Sequence, residues 1–119
     1  MRGSSRSTRD RLLDVLDAID KAQTAVGDRS QEAFSEDWLH QFAAERAIEI
    51  ISEASRHIPD DLKATAPDIP WRDVADIGNF LRHVYEGTDP EIVWTVVKFR
   101  LAALEQAIRG MLERLNHQS

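Results

Sequence analysis

Apolar residues recur at helical spacing along almost the whole chain. Leu12, Val15, Leu16, Ile19, Ala22 and Val26 fall three or four positions apart until Gly27 interrupts them, which predicts a first helix opening after Ser7-Thr8. Beyond a polar turn at Gly27-Asp28-Arg29-Ser30, the residues Phe34, Leu39, Phe42, Ala43, Ala47, Ile50, Ile51, Ala54 and Ile58 form one further stripe. At about seven turns it predicts a single long central helix ending near His57. Pro59-Asp60-Asp61-Leu62 starts a connecting segment of a turn or two through Ala66, and Pro67-Asp68-Ile69-Pro70 breaks it. A third main helix is predicted from Trp71 to about Val84, with Gly87 placed for its C-cap. Thr88-Asp89-Pro90-Glu91 is a capping-box pattern with proline in the first turn, so a last helix begins there and carries Ile92, Val93, Val97, Leu101, Leu104, Ile108 and Leu115. No segment alternates apolar and polar residues in strand fashion. The expected fold is all-α, an up-and-down bundle of four to five helices with short loops.

Length and composition sharpen that expectation. A chain of 119 residues makes one domain, placed at 10–116 after a flexible N-terminal segment over 1–9. With 42% apolar and 30% charged residues and only four prolines, disorder and repeat architectures are poorly supported. The chain has no cysteine, which removes disulfides, thiolate nucleophiles and Cys-based zinc sites and makes the cytoplasm the default compartment. No apolar run approaches the roughly 20 residues that span a bilayer, and the first residues are polar with no secretory core, so no membrane association is expected. The net charge of −6 argues against a surface built throughout to neutralise nucleic-acid phosphates, while leaving room for a local cleft with a few cations. His40, His57, His83 and His117 show no metal-ligand spacing and the five glycines are scattered, so neither a metal nor another cofactor is expected.

The densest chemistry lies in Gly78-Asn79-Phe80-Leu81-Arg82-His83-Val84-Tyr85. At 100° per residue, Val74, Ile77, Leu81 and Val84 form one apolar stripe, while Arg72, Asp76, Asn79 and His83 cluster opposite it. A histidine on that side is available to a second subunit, a substrate or a proton transfer. The order of features along the chain adds to this: Phe34, then Ala47-Ile48-Glu49-Ile50-Ile51-Ser52-Glu53-Ala54, then Ile69-Pro70-Trp71, then Asn79 with His83-Val84-Tyr85, then Ile92-Val93-Trp94. That combination resembles the HepT-like branch of the HEPN domains from about Asp10 to Leu115.

The resemblance implies a helical bundle that dimerises through the His83-bearing helix, the two copies lining a shared cleft. It implies a metal-independent ribonuclease acting as the toxin of a toxin-antitoxin pair. The implied antitoxin is a small nucleotidyltransferase, which in some systems transfers AMP onto a tyrosine two residues past the histidine, here Tyr85. By the same resemblance His83 is the general acid or base, Arg82 and Asn79 support it, and the substrate is RNA. One position departs from the pattern: the arginine expected four to six residues before the histidine is absent, Gly78 occupies its slot, and the nearest cation is Arg82.

Each signal also has a plainer reading. His83 can be an exposed histidine without a role, Tyr85 an aromatic at the core edge, and Arg82 a solvated cation. Glu45, Glu49 and Glu53 read first as a solvated acidic stripe, and secondarily as partners for Arg82 or Arg72. Trp38, Trp71 and Trp94 read as packing anchors. The glycine at position 78 supports an alternative function, a non-catalytic dimer that binds a nucleotidyltransferase or serves as its AMPylation substrate.

Overall fold

The computed structural model describes residues 7–83 and 89–118, the side chains of Phe80, Arg82, His83 and Gln118 excepted. Seven helical segments and no strand are found among the described residues: α1 (Thr8–Val26), α2 (Gln31–Ser35), α3 (Trp38–Ser55), α4 (Asp60–Lys63), α5 (Trp71–His83), α6 (Pro90–Phe99) and α7 (Leu101–Gln118). The all-α bundle expected from the periodicity is what forms.

Its punctuation follows the local chemistry. Ser7 caps α1, its hydroxyl accepting the Asp10 N–H at 3.0 Å, and Gly27 ends the helix at φ 55°, a conformation that costs glycine nothing. Asp89 caps α6 by accepting the Glu91 N–H at 2.9 Å, with Pro90 in the first turn, where a missing N–H is harmless.

Two of the expected helices are each broken in two. The long central helix divides at Glu36 and Asp37, where Asp37 leaves helical geometry (φ −116°, ψ 84°) and accepts the His40 N–H at 3.1 Å, capping α3. At the end of α2 the carbonyls of Phe34, which also accepts the Asp37 N–H at 3.1 Å, and Ser35 accept the Gln41 amide at 2.8 and 2.9 Å. The last helix breaks at Arg100, where φ reaches −118°. On one side of that break α6 is tied to the turn after α1, Trp94 Nε1 donating to the Arg29 carbonyl and Lys98 Nζ to that of Gly27, each at 2.9 Å. On the other side α7 packs along α1.

The core centres on α1 against α3. Both helices bury alanines, Ala18, Ala22 and Ala25 on α1 and Ala44, Ala47 and Ala54 on α3, small side chains that let two helices approach closely, together with Leu12, Ile19, Ile48 and Ile51. Val93 and Val97 of α6 and Leu104, Ile108 and Met111 of α7 close the bundle. Helix α5 packs mainly on α3, so what α3 presents determines where α5 lies. No helix among the described residues is long and apolar enough to cross a membrane.

Candidate functional site

The site is organised by α5, and its entry is fixed by Ile69-Pro70-Trp71. The Trp71 indole N–H reaches the carbonyls of Lys63 and Ala66 at 3.2 and 3.1 Å, joining the start of α5 to the end of α4, and Lys63 Nζ lies 5.8 Å from the ring centre. Pro70 accepts the Val74 N–H at 3.0 Å and leads directly into the helix. Val74 and Ile77 pack against the core and Leu81 is buried, while Arg72 and Asp76 are exposed and Asn79 is half-buried.

In the middle of α5 the two helices come together. The buried Ser52 hydroxyl donates to the Ala75 carbonyl at 2.6 Å and accepts the Gly78 N–H at 3.2 Å. Arg56 donates to the same carbonyl through Nε at 3.2 Å and Nη2 at 2.7 Å. Residues 56 and 52 meet 75, and 52 and 49 meet 78, so the helices run antiparallel. A Cβ on Gly78 would sit 2.7 Å from Ser52 Oγ and 2.9 Å from Ser52 Cβ. The slot where the resemblance expects an arginine therefore faces α3 at contact distance.

Position 83, the last of α5, follows position 79 by one turn. The side chains of His83 and Arg82 lie outside the described residues, as does Tyr85 entirely, together with Val84 and the turn containing Gly87 and Thr88. Five residues of helix separate Gly78 from His83, about 7.5 Å of rise, which brings the end of α5 level with the part of α3 around Glu45.

The face of α3 that receives α5 continues beyond that point. Trp38, Phe42, Glu45, Glu49, Ser52 and Arg56 are spaced alternately by four and three residues and so share one stripe. At its far end Trp38 is 65% and Phe42 64% exposed, their rings edge to face at 5.6 Å, with Leu39 beside them 59% exposed. The reading of Trp38 as a packing anchor is thus corrected, as is the placement of Leu39 and Phe42 on an inward stripe. Trp71 and Trp94 are half-buried against the core and their indoles are hydrogen-bonded. The acidic stripe finds local partners, Arg46 with Glu49 at 3.3 Å and His57 with Glu53 at 3.2 Å. Among the described residues no group of three or more His, Cys, Asp or Glu is arranged to hold a metal ion.

Comparison with known proteins gives a consistent picture. The family described as "Ribonuclease HepT-like" matches residues 15–111. The chain is 39% identical over 110 residues to "Probable ribonuclease HepT" of Thermococcus cleftensis, covering 92% of this chain and 96% of that one. A Methanocaldococcus jannaschii protein described as a "Putative RNase" is 33% identical over 95 residues, covering 80% and 87% respectively. A "Putative RNase" of Caldanaerobacter subterraneus is 28% identical over 85 residues, covering 71% and 76%. No solved structure matches the chain at a significant level.

Proposed function

Because the chain belongs to the HepT-like ribonuclease family, we propose that it is a metal-independent endoribonuclease, the toxin of a toxin-antitoxin pair, held in check by a nucleotidyltransferase antitoxin and acting as a cytoplasmic homodimer. The observation that carries this reading is the register of α5. An unbroken helix from Trp71 to His83 turns Val74, Ile77 and Leu81 toward the bundle, and helical projection sets positions 79 and 83 off that stripe, which supports a site turned toward a second copy and an RNA strand.

In the proposed reaction a ribose 2′-hydroxyl attacks the adjacent phosphorus. His83 takes the proton or returns one to the departing 5′-oxygen, leaving a cyclic phosphate and a 5′-hydroxyl. Arg82 stabilises the charge that builds on the phosphorane through its planar fork of donors, and Asn79 orients the imidazole or binds a phosphate oxygen. Purified protein incubated with RNA in EDTA is expected to produce cyclic-phosphate ends, and His83→Ala to abolish them. Identical RNA profiles from the two proteins defeat the proposal.

A second reading is favoured by the lack of room at Gly78. If the signature arginine is required for turnover, the protein is a non-catalytic dimer that docks a nucleotidyltransferase or offers it Tyr85 as an AMP acceptor. Co-purification with such an enzyme, and an intact mass raised by AMP that Tyr85→Phe prevents, combined with no cleavage by the wild type, would establish it.

A further inference from the structure

We propose that Ser52 is a positioning residue for the His83-bearing helix, matched to Gly78, and that the glycine at the arginine slot is a packing requirement of this pair. The inference deepens the ribonuclease reading, and rests on it only for the effect on RNA.

Ser52 is 2% exposed, so water cannot substitute for its hydroxyl. That one group both donates and accepts, closing a bridge from α3 to two positions of α5 three residues apart, Ala75 O and Gly78 N. Arg56 adds a fork of two donors to the same carbonyl. These bonds fix how far α5 slides along α3 and how it is rotated. His83 lies five residues further on the same continuous helix, so a displacement at 78 is carried to it almost rigidly.

The match is steric as well as polar. A Cβ at 78 meets only the Ser52 side chain at close range, the next atom being Glu49 Cα at 3.8 Å, an ordinary contact distance. Removing the Ser52 side chain therefore opens space for one methyl group. Restoring an arginine at 78 while Ser52 remains would instead force the two helices apart.

The sign of one substitution tests this. In the wild type, Gly78→Ala is expected to lower the unfolding temperature by more than about 4 °C through overpacking. In a Ser52→Gly background the same change is expected to raise it, because alanine is the better helix former once the clash is gone. The positioning role is read from the His83 ring signal in NMR, identified by its loss in His83→Gln, and from RNA cleavage. Gly78→Ala alone should shift the ring signal and lower kcat by about tenfold or more, with KM within about twofold. Ser52→Gly, which removes the bridging hydroxyl, should also shift the ring signal and lower kcat, and Ser52→Gly/Gly78→Ala should relieve the clash without restoring either. The same sign in both backgrounds, or a ring signal indifferent to Gly78→Ala, overturns the proposal. A wild type that cleaves no RNA sinks the ribonuclease reading, while the temperatures and the ring signal still decide the pairing.

Discussion

Trp38 and Phe42 stack edge to face on the surface of α3, ring centres 5.6 Å apart, with about two thirds of each side chain in solvent. With Leu39 they expose roughly 350–400 Å² of apolar surface per copy, taking about 150–250 Å² for each full aromatic side chain. Paired across a two-fold axis, that is about half of the roughly 1,600 Å² buried in a standard interface, enough for its centre. Glu36, Asp37 and Glu45 flank the patch, and their charge disfavours an RNA backbone as its occupant. Sedimentation velocity is expected to give a dimer for the wild type and a monomer of unchanged helicity for Phe42→Glu. A variant that stays dimeric places the interface elsewhere.

With position 78 filled by glycine, the cation of the proposed reaction falls to Arg82. Arg82→Ala is then expected to slow single-turnover cleavage by about 10² to 10³, the usual loss for a donor aimed at transition-state charge. Arg82→Lys should recover little of it, since a point charge does not reproduce a planar fork. Equal rates for Arg82→Lys and the wild type would show that simple charge is sufficient.

The ends of the helices were legible because capping is local chemistry: Ser7 and Gly27 around α1, Pro70-Trp71 before α5 and Asp89-Pro90 before α6 all act within a few residues of themselves. The breaks at Asp37 and Arg100 were not. Phe34 and Phe42, eight residues apart, like Val97, Leu101 and Leu104, keep helical spacing across them, and periodicity reports spacing without continuity. The exposure of Trp38 and Phe42 was hidden for a related reason, since an apolar stripe does not reveal whether its own chain covers it. The motif from Asn79 to Tyr85 stood out through its resemblance to a family, but the cause of Gly78 lay 26 residues away in Ser52. Only the antiparallel docking of α3 and α5 brings those two together.

Phe34 shows how much can depend on a helix too short to stand alone. It sits on the five-residue α2 and is fully buried, the main apolar contribution of that segment to the core. Phe34→Ala is expected to cost about 3–5 kcal/mol, as large aromatic truncations in cores do. Denaturant unfolding measures it, and a loss below about 1 kcal/mol would mean that α2 collapses into the vacated space.

The junction between α2 and α3 carries a pH dependence of definite sign. Asp37 Oδ2 lies 2.7 Å from His40 Nδ1, a short contact though off the ring's N–H axis, and 3.4 Å from Arg29 Nε, while Oδ1 accepts the His40 N–H. Arg29 Nη2 approaches His40 Nε2 at 3.0 Å, and a guanidinium can only donate, so Nε2 is the acceptor and the ring's proton is on the Asp37 side. The interaction with His40, side chain first and then backbone, with Arg29 adding to it, holds the Asp37 carboxyl below its usual value. A depressed folded value means stabilisation that is complete above the ordinary carboxylate pKa of about 3.9 and disappears as pH falls through the lower folded one. Asp37→Ala should therefore unfold at a lower temperature than the wild type at pH 7 and pH 5, with the gap closing toward pH 3. A gap that is constant over that range would assign the role of Asp37 to backbone capping alone, without its charge.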